Sequence, residues 1–168
     1  VMGIDATFGQ AFYKAELAGS NRLPHQGVVF LSVNDHDKPA GLVVAKRLRS
    51  LGLGLVATQG TADYLAGFGV AVDRVLGKVA ERLQDDGGGA DADAPTAVDL
   101  IADGTIQFVI NTPRGSRGRS DGAHIRKAAS AHGVSVVTTM SASLVAAQGL
   151  TEATGSLSVR PLQEWHGR

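Results

Sequence analysis

Cysteine is absent from all 168 residues. That excludes a disulfide framework, a thiolate metal site and a cysteine nucleophile. Aromatic residues make up only 5% of the chain, too few for a surface that stacks bases. Neither sign of charge is in excess: sixteen Lys and Arg balance sixteen Asp and Glu. A broadly basic nucleic-acid binder or membrane-surface binder is therefore not expected. No apolar run approaches the roughly 20 residues of a membrane-spanning helix. Asp5 comes early, with no charged lead and apolar core around it, so a secretory signal is not read there and a cytoplasmic location is expected. None of His25, His36, His124, His132 and His166 stands at metal-ligand spacing from another, and no metal centre is expected.

What the chain does have is alternation. Residues 6–18 carry Phe8, Ala11, Phe12, Ala15 and Ala18 at helical spacing, and 19–24 is rich in breakers. Residues 27–33 (GVVFLSV) form a nearly continuous apolar run, the mark of a strand buried on both faces. A polar turn at 34–37 leads into a helical period over 38–51, ended by Gly52. A second strand is predicted over 53–57, a helix over 62–68, and a short strand over 70–75. The acidic, Gly-rich stretch 85–94 (DDGGGADADA) is too polar to pack and predicts a mobile loop. A short helix over 95–102 and a strand over 106–110 follow. Residues 114–120 (RGSRGRS) read as a basic loop, with Asp121 capping a helix to Ala131 that Gly133 closes. Residues 134–137 predict a last strand, and Thr138-Thr139 opens a helix through Leu150. Ser141 and Ser143 read as packing positions in it, and Trp165 as an anchor for the tail. The whole reads as α/β: a doubly wound, mainly parallel sheet of about five strands with helices on both faces.

In such a sheet ligands bind at the C-terminal ends of the strands. Those ends here are Val56-Ala57-Thr58-Gln59-Gly60-Thr61, the turn that reaches Lys38, and Asn111-Thr112. Lys78, after the third predicted strand, could join them. Hydroxyls, backbone N–H groups at a helix start and a lysine point charge together suit a phosphate or carboxylate. Each element is weak alone; their convergence on one edge carries the anion-site reading.

The order of motifs is similar to that of the methylglyoxal-synthase-like domains, three-layer Rossmann-type folds. Within them it resembles the C-terminal allosteric domain of the large subunit of carbamoyl phosphate synthetases. The residues that carry this are Phe30-Leu31-Ser32-Val33, Asp37-Lys38, Ala57-Thr58-Gln59-Gly60-Thr61, Lys78-Val79, Val109-Ile110-Asn111-Thr112 and Thr138-Thr139. Residues 1–4, 8–15 and 158–165 resemble the flanks of that domain. The resemblance implies that 1–26 is the linker and helix ending a preceding synthetase domain, and that 27–168 is the allosteric domain. It also implies a regulatory site for a nucleoside monophosphate, UMP as inhibitor or IMP as activator. Lys38, Thr58, Gly60 and Thr61 would hold the phosphate. Lys78, Asn111 and Thr112 would reach the phosphate or ribose, with Ser32 nearby and Arg117 able to close over the ligand. Pro113 stands where similar domains often carry a threonine. Thr138 matches an ornithine contact of some members, but Val137 precedes it where those members carry an acidic group. No catalytic residue and no cofactor is implied for the domain itself. The parent it implies is an ATP-dependent ligase using Mg or Mn, partnered by its own synthetase domains and a glutaminase small subunit, and serving arginine and pyrimidine biosynthesis.

Two catalytic relatives are weighed against this. Methylglyoxal synthase acting on a triose phosphate needs carboxylates; its usual G-P-x-G-G-D segment would fall near 89–94, where those pairs are absent and only Asp91 and Asp93 are acidic. An IMP cyclohydrolase domain shares the strand end but needs a following R-V-K-T-L-H-P-type segment, which is missing. A third reading, an RNA-binding basic loop at Arg114, Arg117 and Arg119, lacks interleaved aromatics.

Overall fold

Strand β1 (Val28–Val33) is the centre of a five-stranded parallel sheet, and its sequence dictates that place. Val29, Phe30 and Leu31 are all buried, as a run apolar on both faces must be once helices cover both sides. The structure is a computed structural model that describes residues 1–77, 95–112, 115–153 and 157–166, with backbone alone for 115–120. The strands are β1, β2 (Gly54–Thr58), β3 (Arg74–Leu76), β4 (Ile106–Thr112) and β5 (Ser135–Val137). Their order across the sheet is β3-β2-β1-β4-β5. The chain therefore winds one way from β1 through β2 to β3, then crosses over to β4 and β5. β1 and β4 flank the point where the winding reverses, and a crevice opens there beyond the strand C-termini. Leu31 pairs with Ala57 on one side and Ile110 on the other. Ser32 is level with Asn111 and Val33 with Thr112.

The helices are α1 (Phe8–Ala18), α2 (Lys38–Ser50), α3 (Gln59–Ala66), α4 (Ala97–Ala102), α5 (Gly115–Ala131), α6 (Met140–Glu152) and α7 (Leu162–Trp165), with a 3-10 turn at Asp35–Asp37. Alternation along β1 splits the core in two. Val29, Leu31 and Val33 face α1, α2, α3 and α6 through Val44, Leu48, Leu65 and Leu150. Phe30 faces α4 and α5 through Leu100, Ile101 and Ile125. Gly52 (φ +82) and Gly133 (φ +67) take the left-handed conformation that closes α2 and α5.

α1 lies along α6, and small residues let it approach. A Cβ on Gly149 would stand 2.7 Å from the Gly9 carbonyl oxygen. The start of α1 is held from far along the chain: the Thr7 hydroxyl and the Gln10 N–H (3.1 Å) both donate to Glu152 Oε2. Lys14 pairs with Asp5 (2.6 Å) and donates to the Ser158 carbonyl (2.6 Å), so the two chain ends meet on α1. Trp165 stacks with this cluster, its ring 6.0 Å from Lys14 Nζ and 5.3 Å from the Arg160 guanidinium. It anchors the tail on α1 and not on the sheet.

Most element boundaries move by one or two residues from the sequence expectation, and four differences bear on the site edge. α3 begins at Gln59, three residues before Ala62, because Thr58 already has the extended backbone of a helix cap (φ -68, ψ 153). β3 is confined to Arg74–Leu76. β4 runs two residues further than predicted, to Thr112. The fourth difference is larger: the segment 115–120 is the first part of α5, and Asp121 lies inside the helix. Once residues 122–131 are helical, each residue added at the N-terminal end gains a hydrogen bond without a new nucleus. Arg favours helix and each Gly costs only about 1 kcal/mol relative to Ala, so the Gly/Ser content does not stop the extension. The stretch 85–94 lies outside the described residues.

Candidate functional site

The residues singled out at the strand ends do gather on one edge, but they divide into two groups. Thr61 and Thr112 are engaged inside the fold. Thr61 is 3% exposed, and its Oγ1 accepts from the Val33 N–H at 3.0 Å. It thereby ties the first turn of α3 to the end of β1. Thr58 donates to the same oxygen at 3.2 Å. Thr112, equally buried, accepts on its hydroxyl from the Asn34 N–H and the Asn34 Nδ2, both at 3.2 Å. Asn34 Nδ2 donates further to Asp37 Oδ2 at 2.6 Å, and Asn34 Oδ1 accepts from the Asp37 N–H at 3.1 Å. This side-chain turn fixes the path from β1 into α2. Burial opposes ionisation of Asp37, but hydrogen bonds from His36, Asn34 and Thr112 outweigh it and hold the carboxyl below its ordinary value.

Lys38, Gly60 and Ser32 form the second group. Lys38 opens α2, followed by a proline in its first turn. Its side chain is only 17% exposed and lies across the edge toward α3. A Cβ on Gly60 would sit 3.7 Å from Lys38 Nζ, and the Tyr64 ring centroid is 5.8 Å away. Thr58 gives α3 no side-chain capping bond, so the helix start keeps N–H groups that suit an anion. Lys38 Nζ is paired with Asp35 Oδ1 at 2.7 Å. Ser32 is half-buried at the level of Asn111. Both follow Phe30 and Val109 in the alternation and so point toward the α4–α5 side.

Asn111 is 3% exposed and faces Gly122 of α5. A Cβ there would stand 3.1 Å from Asn111 Nδ2 and 3.0 Å from Arg126 Nη1. Arg126 thus folds back along α5, as long helical side chains do, and brings a guanidinium beside Asn111. Arg117 falls in the first turn of α5, where only the backbone is described; Lys78 and Pro113 lie outside the described residues. Thr138 is exposed just before Thr139, which caps α6 by accepting from the Ala142 N–H. Ser143 is fully buried and donates to the Thr139 carbonyl at 2.8 Å, the packing role read from its position.

Sequence reasoning placed Asn34 and Asp35 in a polar capping turn without giving them a part in the site, and it did not single out Tyr64 or Arg126. Tyr64 was findable: it lies four residues after Gly60 and so shares its helix face. Asn34 and Asp37 at three-residue spacing carry the signal of a side-chain turn. Nothing in the sequence announces Arg126, whose place depends on how α5 docks. Among the described residues, no helix is long and apolar enough to cross a membrane.

The chain is 43% identical to the carbamoyl phosphate synthase large chain, C-terminal section, of Aquifex aeolicus, over 98% of this chain and 29% of that protein. It is 40% identical to a carbamoyl phosphate synthase large chain of Methanosarcina barkeri, over 99% of this chain and 39% of that protein. A third such large chain, from Archaeoglobus fulgidus, is 39% identical over 99% of this chain and 14% of its own length. The chain thus spans well under half of these relatives. A family model described as MGS-like domain matches residues 41–138, from the first turns of α2 through β5. The chain belongs to the MGS-like domain family.

Proposed function

We propose that this chain is the effector-binding region of a carbamoyl phosphate synthase large chain, taking a nucleoside monophosphate by its phosphate at the C-terminal edge of the sheet. The observation that carries the reading is Lys38, held 3.7 Å from where a Gly60 side chain would begin, over the uncapped start of α3. A phosphate there meets backbone N–H groups, a partial positive charge and a full one. Gly60 keeps the approach open. The Thr58 hydroxyl stands beside the helix start, while Thr61 and Thr112 act by shaping the edge. Ser32, half-buried in the same row of the sheet as Asn111, lies on the side where the ribose is proposed to sit; Asn111, Lys78 and Arg117 complete the reading from the sequence.

In the parent, glutamine, bicarbonate and ATP (with Mg or Mn) yield carbamoyl phosphate for arginine and pyrimidine synthesis. The synthetase domains and the glutaminase subunit carry that chemistry. A nucleotide that binds one arrangement of the parent better than another shifts the equilibrium between them by its differential affinity. UMP inhibition and IMP activation are the expected signs. Titration calorimetry with UMP and IMP tests this directly. Binding by the wild-type chain, weakened about tenfold or more in Lys38→Ala, is the expected result. No heat with either nucleotide at millimolar concentration would remove the reading.

A further inference from the structure

Lys38 is not an empty cation. The Asp35 carboxylate, one helical turn earlier, holds its Nζ at 2.7 Å. The two partners are placed very differently. Lys38 is 17% exposed, its head group near Gly60 and 5.8 Å from the Tyr64 ring centroid; Asp35 is 73% exposed. The lysine side chain is largely covered by the fold, whereas the Asp35 side chain is already mostly in water. An anion arriving at Lys38 therefore displaces Asp35 and leaves Lys38 in place.

We propose that Asp35 is an affinity-determining residue, a resident competitor that any phosphate must displace from Lys38. The inference rests on the phosphate-site reading above. Displacement subtracts a fixed amount from the affinity of every anion: the lost pairing, plus repulsion from a carboxylate that stays tethered nearby. A bare phosphate has only the anchor contacts with which to offset that loss. A phosphate carrying a nucleoside adds contacts further along the edge, toward Ser32 and Asn111. The competitor thus raises by one fixed step the binding that every anion must supply, without changing the ratio of phosphate to nucleotide affinity. A merely structural Asp35 would have the opposite signature, since damage to a scaffold weakens binding and does not tighten it.

The test compares the wild-type 168-residue chain with Asp35→Asn and Asp35→Glu, titrated with UMP, inorganic phosphate and uridine. Asp35→Asn is expected to tighten UMP and inorganic phosphate by a similar factor, about three- to tenfold. Uridine affinity should not change, and Asp35→Glu should stay near wild type. UMP and phosphate affinities that are unchanged or weaker in Asp35→Asn overturn the inference, even where wild type binds UMP and the function stands. Phosphate binding that appears in Asp35→Asn alone supports the competitor while removing the nucleotide reading for wild type. Binding by neither protein overturns both.

Discussion

The seam between α1 and α6 and the C-terminal edge of the sheet use polar groups in opposite ways. In the seam, backbone meets backbone through Gly9 and Gly149, and Glu152 accepts from Thr7 and Gln10 of the other helix. Its bonds run between groups of the chain, and its glycines leave no room for anything else. At the edge, Thr61 and Thr112 are closed in the same manner, yet between them stand an uncapped helix start and a lysine whose partner is largely in water. A polar cluster built for stability and one able to receive a ligand are therefore told apart by which partners can leave, and not by residue type. The same hydroxyl chemistry serves both.

Four substitutions can break or sharpen that contrast. The largest effect is expected for Gly149→Val, because its Cβ would fall 2.7 Å from the Gly9 carbonyl oxygen and 3.2 Å from Tyr13 Cβ. Backbone cannot swing aside as a side-chain tip can, so α1 should lose its seat at about 2–3 kcal/mol. Urea denaturation followed by circular dichroism would read this, and unaltered stability would contradict a close-packed seam. Next is Thr61→Val, which leaves the buried Val33 N–H without its hydroxyl acceptor. A loss of about 2 kcal/mol is expected, whereas Lys38→Ala at the same edge should change stability by less than about 0.5 kcal/mol. Equal losses in the two variants would erase the distinction between closed and open groups.

Glu152→Gln should cost less than Thr61→Val and more than Lys38→Ala, about 1 kcal/mol at neutral pH. The Thr7 hydroxyl and the Gln148 side chain hold the Glu152 carboxyl below its ordinary value against the opposing effect of burial, with the Gln10 N–H and the Arg47 charge adding to them. A carboxylate lowered on folding contributes stability that is complete above its unfolded value, about 4.3. That contribution is lost as pH falls through the lower folded value. Wild type should accordingly weaken in acid through this residue. Glu152→Gln should lack that part of the slope, so the two stability curves draw together as pH falls below the unfolded value. Curves that stay parallel from pH 7 down would show that Glu152 makes no charge-dependent contact.

Much of the fold was legible because the strands are apolar on both faces. The runs around Val29–Val33 and Ile106–Ile110 leave little choice but a covered parallel sheet. Where glycine and serine crowd together the sequence misleads: 115–120 reads as loop but continues α5, since helix extension is a cooperative property of the residues beyond. The site was legible in part. Thr58, Gly60, Lys38 and Asn111 follow from the rule that strand ends meet on one edge. That Thr61 faces inward, that Asp35 reaches Lys38, and that Arg126 folds back beside Asn111 all depend on side-chain directions fixed only by packing. Periodicity carries no record of those.

The hold of Glu152 on the start of α1 has a consequence in time. The two ends of the bond to Gln10 lie 142 residues apart. An 11-residue helix is marginal in water on its own. At ribosomal rates of about 5–20 residues per second, its partner is made on the order of ten seconds later. During translation α1 must wait, unseated, until nearly all the rest of these residues have been made. The first helix of the chain is thus among the last to settle.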